Sequence, residues 1–514
     1  MKKTWFDRAV EFISPTAAFH RYQSRIKAEI ILRHYEAASH GRRTSGWNSN
    51  GLDVNNEIAR AKRPVRERAR DLTRNNPFAV SVLDGLTANV IGTGIETIFR
   101  NADGTPNKKL TDAFKAWAES TDADQCQSTT YHGIQELVFR SIVEGGEALV
   151  LPIIESSPVP RFCLKALEPD FIDDNRIGVH RVTTALYEMI VDGILIDKDG
   201  KKKGYYLWSA HPGSQSTIGQ NIFVSNLVDA SSVFHIFKAE RIGQLRGISW
   251  FAPVMTMLKE LDELFDATLL KQKIASAFAG FIVDYEGVST GLTAAKEYQL
   301  RETIESGALE VMPPGKDIKF PNPPAAGDFD PFTRSILRAF SCGMKVPYEV
   351  VTGDLSNVNF SSGRMGWQEF GRKIDQWQWN MLVPMLCQPV ANRWLQFQGV
   401  MGARTGGVYA TFVMPKRAMV DPVSETNAIN SQIRMGTMSL PDAIRAQGED
   451  PEEKIKEIAD FNELLDQYGL VFDSDPRKIT KSGILQADPS AKNSGQDSGA
   501  AADGKDAPPS SANA

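Results

Sequence analysis

A regular pattern of apolar and polar positions runs from Phe329 to Phe397 and predicts a helix, a polar hinge and a long helix. The first helix is expected to begin at Asp330-Pro331, because a carboxylate cap followed by proline is a typical helix start. The hinge, Tyr348 to Phe360, is predicted to be a mobile polar loop. The apolar positions of the first helix recur every four residues and give one apolar stripe. They are Phe332, Ile336, Phe340 and Met344.

The second helix is expected to begin near Ser361, and its apolar positions also share one face. They are Trp367, Phe370, Ile374, Trp377, Met381 and Met385. Core packing is predicted for Trp377, whereas Trp379 is placed toward a neighbouring subunit. Pro384 and Pro389 are expected to kink the far end of this helix.

A third helix is predicted over residues 254–277, with one apolar face and four carboxylates between positions 260 and 266. The apolar face consists of Val254, Leu258, Leu261, Phe265 and Leu269. Between this helix and Asp330, an insert is expected to contain a strand, a helix, a strand and a proline-rich return. Their ranges are Phe278–Tyr285, Thr293–Ser306, Ala308–Met312 and Pro313–Pro324.

Residues 49–253 are predicted to form one α+β domain. A basic helix over Asn55–Asn75 is expected to be interrupted by Pro64, and Asn76-Pro77 begins an apolar helix. A hairpin is predicted from Tyr187 to Trp208, with its turn at Asp197–Gly200. Further helices and strands are predicted over Lys108–Glu119, Gly133–Val143, Ala148–Ile154, Phe162–Ala166 and Val233–Phe237.

Beyond Gln398 the pattern predicts a strand, Tyr409–Met414, and three short helices. Helix starts are indicated at Asp421-Pro422, at Ser439 with Asp442, and at Asp450-Pro451, and stops at Gly436, Gly448 and Gly469. Residues 1–48 are expected to be an arm that orders only against a neighbour. Residues 483–514 are too poor in apolar side chains to fold and are predicted to be disordered.

Composition and charge narrow the class of protein. The 514 residues, 42% hydrophobic and 24% charged, are typical of a globular protein with more than one core. No apolar run is long enough to span a membrane, and charges interrupt the N-terminus, so a cytoplasmic chain is expected. The net charge of −5 divides into +8 over residues 1–74, with 16 Lys+Arg and 8 Asp+Glu, and −13 elsewhere. The basic end suggests contact with a polyanion or partner, and equally a solvated helix face.

Few sequence motifs indicate catalysis. Gly287-Val-Ser-Thr-Gly291 matches a nucleophile elbow around Ser289, but all seven histidines precede it, whereas a hydrolase places its base after the nucleophile. The sequence has no GxxxxGK[ST] loop and no HExxH motif. The four cysteines lie far apart and are expected to be buried free thiols. The sequence thus predicts no enzyme activity, no cofactor and no metal.

Three segments carry a resemblance to a known family. They are Arg68-Ala-Arg-Asp-Leu-Thr-Arg-Asn-Asn-Pro-Phe-Ala79, Gly243-Gln-Leu-Arg-Gly-Ile-Ser-Trp250, and Val346-Pro-Tyr-Glu-Val-Val-Thr-Gly353 followed by Asn359-Phe-Ser-Ser-Gly-Arg364. In their order and spacing they resemble the lambda-type bacteriophage portal proteins, over about residues 45–470. That resemblance implies an α+β fold of wing, stem helices, clip and crown, assembled as a dodecameric ring at a capsid vertex.

The resemblance divides the chain into parts. It implies a wing (49–253), stem helix 1 (254–277), a clip (278–327), stem helix 2 (328–346), a tunnel loop (347–361), a long kinked helix that completes the wing (362–420) and a crown (421–482). The tunnel loop would face double-stranded DNA through Asp354, Ser356, Asn357, Asn359 and Ser361. Four basic residues of the stem would lie near DNA phosphates or across the seams between subunits. They are Lys271, Lys273, Arg334 and Arg338.

The family's function implies the remaining expectations. The ring would conduct DNA in packaging and ejection without sequence specificity, and would contact the terminase large subunit, the capsid or scaffold protein and a head–tail connector. Its place would be the virion, and the host cytoplasm during assembly. Two alternatives stay open: a serine hydrolase using Ser289, and a monomeric DNA-binding module using the arginines from Arg60 to Arg74.

Overall fold

The computed structural model describes residues 51–156, 159–181, 187–214, 224–277, 281–284, 316–319, 329–356, 358–419, 421–472, 475 and 477. Several predicted features lie wholly outside the described residues. They are the arm 1–48, the tail 483–514, the helix Thr293–Ser306, the strand Ala308–Met312, and the single residues Ser289 and Asn357.

Within the described residues the chain forms α-helices, one π-helical segment and antiparallel strands. The helices are α1 (Val54–Asn75), α2 (Pro77–Val90), α3 (Lys108–Glu119), α4 (Tyr131–Gly145), α5 (Met255–Ala277), α6 (Phe329–Met344), α7 (Tyr348–Thr352), α8 (Phe360–Trp377), the π-helix (Gln378–Cys387), α9 (Gln388–Val400), α10 (Pro422–Arg434), α11 (Leu440–Ala446) and α12 (Pro451–Tyr468). The strands are β1 (Glu96–Arg100), β2 (Glu147–Glu155), β3 (Arg161–Leu167), β4 (Gly178–Arg181), β5 (Tyr187–Val191), β6 (Ile194–Ile196), β7 (Lys202–Trp208), β8 (Ser225–Asp229), β9 (Phe234–Phe237), β10 (Phe281–Asp284), β11 (Lys316–Lys319) and β12 (Tyr409–Val413).

The main core lies between α2, α4, the three-stranded sheet β3-β2-β9 and the long helix that runs from α8 to α9. At its centre the Trp394 ring stacks on Phe99 at 5.5 Å between centroids and meets Phe114 edge-on at 5.2 Å. Trp377 packs against Trp250 with centroids 4.9 Å apart and is 4% exposed, so its predicted core position is confirmed. Trp379 is 49% exposed.

Residues far apart in the sequence complete the same core. Strand β12 pairs antiparallel with β1, with Ile98 opposite Thr411. The segment after the long helix therefore folds back onto the N-terminal α+β region. The sequence predicted β12 and missed β1, since a short strand after a glycine-rich turn has little periodicity of its own.

The predicted hairpin from Tyr187 to Trp208 is wrong in one respect. The structure divides its first half into β5 and β6 by a two-residue turn at Asp192-Gly193, where both residues have positive φ, 56° and 82°. An Asp-Gly pair suits this turn type because glycine and aspartate tolerate left-handed backbone. Strands β4 to β8 then form one five-stranded antiparallel sheet.

Helix α1 is continuous through Pro64, so the predicted interruption is wrong. A proline in a helix frees the carbonyl four residues earlier, here that of Arg60. Both residues lie on the solvent side of α1, where water can bond that carbonyl. Buried residues on the opposite side, Ile58 and Ala69 among them, hold the helix in place before and after the proline.

The predicted second helix is confirmed, and it continues as helical backbone from Phe360 to Val400. Its predicted stripe is buried from Phe370 to Met381, with Trp367 and Met385 half-buried. Pro384, which has no N–H to donate, lies inside the π-helical segment. Pro389 lies in the first turn of α9. The predicted polar loop before this helix is partly wrong, because its first five residues form α7.

Helices α5 and α6 run antiparallel and touch at two levels. The Phe265 and Phe329 rings meet edge-on at 5.5 Å, and a Cβ at Gly343 would lie 2.2 Å from Val254. The apolar stripe of α5 is buried at Val254, Leu258 and Leu261, and that of α6 at Phe340 and Met344. Phe332 and Leu269 are 56% and 54% exposed, since the helices bury their faces only where the body of the domain covers them.

In the insert, the described strand β10 pairs with β11, Phe281 opposite Lys319. Residues 316–319 were predicted to belong to a proline-rich return, and the structure places a strand there. Two of the four free cysteines, Cys126 and Cys342, are exposed, which corrects the expectation that all are buried. Among the described helices, none combines the length and apolar content needed to cross a lipid bilayer.

The three C-terminal helices begin at their predicted caps. Asp421 accepts a hydrogen bond from the Ser424 amide at 3.1 Å, and the Ser439 hydroxyl accepts one from the Asp442 amide at 3.2 Å. Gly469 ends α12 with a φ of 65°. The helix boundaries of this segment were therefore correctly predicted, because caps are local signals.

Candidate functional site

The loop between α7 and α8 is held by its own polar side chains. Gly353 ends α7 in the left-handed region, with φ 69°. The Asp354 carboxylate then accepts hydrogen bonds from the Ser356 amide at 3.0 Å and from the Ser356 hydroxyl at 2.5 Å. These bonds, the hydroxyl bond first, lower the pKa of Asp354, which stays a carboxylate. At the far end, Asn359 caps α8 by accepting from the Ser362 amide at 2.8 Å.

The loop also contacts the preceding helix. The Arg334 guanidinium lies 3.0 Å from Asp330 on its own helix and 3.9 Å from the Asp354 carboxylate. The hydrogen bond to Asp330, with the charge of both carboxylates, raises the pKa of Arg334. Two candidate residues that are 20 positions apart in the sequence, Arg334 and Asp354, are therefore neighbours.

The structure does not gather the other candidates around them. The Arg338 guanidinium lies over the Tyr348 ring, 5.8 Å from its centroid. Lys271 and Lys273 are exposed near the far end of α5, past the Phe265–Phe329 contact. Ser361 is exposed in the first turn of α8, and Asn357 lies outside the described residues.

Helix α1 directs much of its positive charge inward. Arg66 is 2% exposed and lies 3.1 Å from the Asp170 carboxylate, and Arg70 lies 2.7 Å from the same residue. Lys62, also 2% exposed, pairs with Asp192. Of the arginines from Arg60 to Arg74, Arg66 and Arg70 are therefore neutralised by acidic residues of the same subunit. Arg60, Arg68 and Arg74 are exposed.

A second buried ion pair connects the start of β2 to the segment Gly243–Trp250. The Glu147 carboxylate, fully buried, accepts from Arg246 Nη2 at 2.6 Å, from the Gly247 amide at 2.8 Å, and hydrogen bonds to His235 Nε2 at 2.9 Å. Arg246 also donates to the Asp192 carbonyl at 2.8 Å. Five residues from four segments thus meet in this cluster.

Glycines allow the close approach that the cluster needs. Gly146 has a φ of 94°, and a Cβ there would lie 2.4 Å from the Ile248 backbone. A Cβ at Gly247 would lie 2.1 Å from the Gly146 carbonyl. Sequence patterns did not identify Glu147, although the Gly-Gly-Glu sequence before a strand could have indicated a tight, functional turn.

Charge and burial set the protonation states of the cluster. The Glu147 pKa lies well below its usual value, because Arg246 and His235 more than offset the burial that would raise it. Burial, with Lys202 nearby, lowers the pKa of His235 to about 4, so its ring is neutral at pH 7. Burial also lowers the pKa of Lys202 to about 8.

Glu168, Asp170 and His211 bring three potential ligand atoms within 4.8 Å of one another. Arg70 already donates to Glu168 at 2.8 Å and to Asp170 at 2.7 Å. A cation would have to displace this guanidinium, so the group does not fit a metal ion.

Comparison with known proteins assigns the family. Residues 40–378 match the model of the phage portal protein, lambda family. The chain belongs to this family. The match covers α1, the buried Glu147–Arg246 pair, helices α5 and α6, the loop and all of α8, so each element of the candidate site falls within it.

Individual portal proteins are similar at low identity. The chain is 23% identical over 480 residues to a probable portal protein of Halomonas phage phiHAP-1, covering 86% of this chain and 89% of that one. It is 24% identical over 368 residues to the portal protein of Escherichia phage N15, and this match covers 63% of this chain and 67% of that one.

Solved structures of gene transfer agent particles contain chains that are similar to this one. The neck of an empty particle, with C6 symmetry, gives a TM-score of 0.46 at 15% identity and covers 80% of this chain and 98% of that one. The neck of a native particle, with C12 symmetry, gives a TM-score of 0.43 at 14% identity and covers 72% of this chain and 89% of that one. Membership of the portal family makes the chain an α+β structural component of the virion.

Replacing Asp354 with alanine is expected to increase amide hydrogen exchange at Ser356 about tenfold, because the amide loses its acceptor. Exchange followed by mass spectrometry over a peptide containing residues 350–360 would measure it. The matched control is Asp330→Ala, which removes the other carboxylate beside Arg334 and leaves the loop bond intact. Equal exchange in the two variants would contradict the assignment.

Proposed function

We propose that twelve copies of the chain form a closed ring at one capsid vertex, through which double-stranded DNA passes in packaging and ejection. Family membership supports this proposal. The ring binds DNA without sequence specificity. It serves as a platform for the terminase large subunit, the capsid or scaffold protein and a head–tail connector, in the host cytoplasm during assembly and then in the virion.

The parts of the portal fold follow the described elements. The wing comprises residues 49–253 and 362–420, and the β1–β12 pairing supports joining these two stretches. The stem comprises α5 and α6 (254–277 and 328–346), and the antiparallel contact at Phe265 and Phe329 supports it. The clip (278–327) lies between them, and the tunnel loop (347–361) and crown (421–482) complete the subunit.

The observation that carries the DNA-conduit function is the chemistry of the tunnel loop. Residues 347–361 include no Lys or Arg. Two of the loop's polar side chains are used locally, Asp354 on Ser356 and Asn359 on the Ser362 amide at the start of α8. Because phosphate affinity grows with each Lys or Arg contact, such a loop holds DNA loosely and lets it slide.

The basic residues of the stem also fit a channel that holds DNA loosely. Arg334 is shared by Asp330 and Asp354, and Arg338 lies over Tyr348. Partners within the subunit reduce the charge that these residues offer to phosphates. Together with Lys271 and Lys273, they form weak phosphate contacts or contacts across subunit seams.

We assign no catalysis to the chain. The family is structural, and the sequence has no GxxxxGK[ST] loop to bind the phosphates of ATP. Energy for packaging then comes from the terminase, a separate protein, and the ring contributes positioning only.

Adding one lysine to the loop tests the conduit function. Ser361→Lys places twelve new positive charges around the ring, and we expect DNA packaging in vitro to slow several-fold at low salt and to recover as salt rises. The matched control is Ser156→Lys, at another exposed serine, outside the loop. Packaging would be measured as nuclease-protected DNA against time.

The two outcomes separate clearly. A defect that is specific to Ser361→Lys and relieved by salt supports DNA passing this loop. Wild-type packaging by Ser361→Lys at low salt, in particles shown to contain the variant ring, would overturn the assignment of the loop to the channel.

A further inference from the structure

The C-terminal segment exposes a broad apolar surface. Its members recur every three or four residues along α12, cover about half of the helix circumference and continue past the helix end. They are Ile455, Ile458, Phe461, Leu464, Tyr468, Leu470, Val471 and Phe472, which are 46–73% exposed. We refer to these eight residues as the α12 face.

Neighbouring helices in the same segment are also uncovered. Helix α10 has thirteen residues and buries none of them, and α12 buries only Pro451 and Leu465 out of eighteen residues. Isolated helices of this length are marginal in water, so most helical stability has to come from packing. Among the described residues of one subunit, α10 and α12 receive little of that packing.

The α12 face is the size of a protein contact. Eight side chains of roughly 180 Å² each, about half exposed, offer on the order of 700 Å². A standard protein–protein interface takes about 800 Å² from each partner. Monomeric proteins rarely leave an apolar patch of this size uncovered.

The segment contacts the body of the subunit at the start of α12. Glu452, in the first turn of α12, pairs with Arg100 of β1 at 3.3 Å. A Cβ at Gly448, just before α12, would lie 2.9 Å from the Lys416 amide nitrogen, so the backbone is closely packed there. In a ring, this attachment puts the segment of every copy at the same radius and beside that of the next copy.

We propose that the α12 face of each subunit packs against the α10–α12 segment of the adjacent copy. This inference rests on the proposed ring. The contact is head-to-tail, with the α12 face meeting a different surface of its neighbour, and α10, which has no buried residue, supplies that surface. Head-to-tail contacts of this kind close into rings. The partner that completes the crown is thus a second copy of this chain.

The double variant Ile458→Asp with Phe461→Asp tests the proposal in the full-length protein. Two buried charges per contact are expected to weaken subunit association at least about 100-fold. Sedimentation velocity and native mass spectrometry should show wild-type rings and variant particles of 56.8 kDa or small multiples of it. The control is Ile242→Asp, at an isoleucine that is fully exposed in a loop of the wing, and it should leave the ring intact.

A second measurement does not depend on disrupting the protein. A photo-crosslinking amino acid at Tyr468 should join adjacent copies, and the crosslinked peptides should map to residues 422–468. Rings of wild-type size in the double variant, or crosslinks only to other regions, would overturn the proposed contact and leave the ring itself standing. Wild-type protein that stays monomeric at high concentration would overturn both.

Discussion

Replacing Glu147 with glutamine is expected to lower the free energy of unfolding by about 3–5 kcal/mol, the typical cost of removing one partner of a buried ion pair. Arg246 would keep its charge at 2% exposure and lose its closest carboxylate, 2.6 Å away. Asp174, at 3.4 Å, compensates only in part. Urea denaturation followed by tryptophan fluorescence, at a concentration where the subunits are dissociated, would measure the loss.

An exposed ion pair provides the control. Glu369 and Arg372 are 3.5 Å apart, with side chains 61% and 81% exposed, and Glu369→Gln should change the free energy of unfolding by less than about 1 kcal/mol. The double variant Glu147→Leu with Arg246→Met should recover much of the loss, because no unpaired charge stays buried. If Glu147→Gln lowered the free energy of unfolding no more than Glu369→Gln does, the cluster would have no structural role.

Acidification from pH 6.5 to about 4 is expected to cost about 3 kcal/mol of stability through His235 alone. Its folded-state pKa of about 4 lies below the usual 6.5, so over this window the unfolded chain binds a proton that the folded chain does not. Stability is therefore full above pH 6.5 and falls as the pH drops. Glu147, whose folded-state pKa is also depressed, adds a further loss below about pH 4.5.

The groups around the ring cause this behaviour. His235 faces Glu147, which favours its protonation, and Lys202 and Arg246, which oppose it, and Tyr205 packs edge-on against the ring at 5.5 Å. The variant His235→Gln should flatten the curve of unfolding free energy between pH 6.5 and 4.5. The control His180→Gln, in the edge strand β4, should keep the wild-type slope. An unchanged slope in His235→Gln would show that the ring takes up its proton without cost.

Local signals were sufficient for many elements of the fold. Proline and aspartate marked the starts of α10 and α12, and the spacing of Phe370, Ile374 and Trp377 gave the correct buried face of α8. Such signals act within one or two turns, so they hold whatever lies beyond them. The spacing of Phe332 and Leu269 predicted which helix face each residue occupies, and it carried no information on whether that face is covered, since both side chains are about half exposed in the subunit.

Part of the candidate site could also be predicted from the sequence. Asp354, Ser356 and Asn359 were expected in one polar loop, and the structure gives each of them a defined role in holding it. The contact between Asp354 and Arg334 was not predictable, because it depends on how α6 and the loop pack.

The sequence by itself determined the positions and caps of the main helices, the lack of a nucleotide-binding motif and the resemblance to portal proteins. Only the tertiary structure decided which charged side chains pair with one another. The arginines of α1 looked available to a polyanion, yet Arg66 and Arg70 meet Asp170, about 100 residues away, and Glu147 meets Arg246 across 99 residues. Charge and strand partners at such separations are chosen by packing, which no local pattern encodes, and this is why helix ends could be predicted and ion pairs could not.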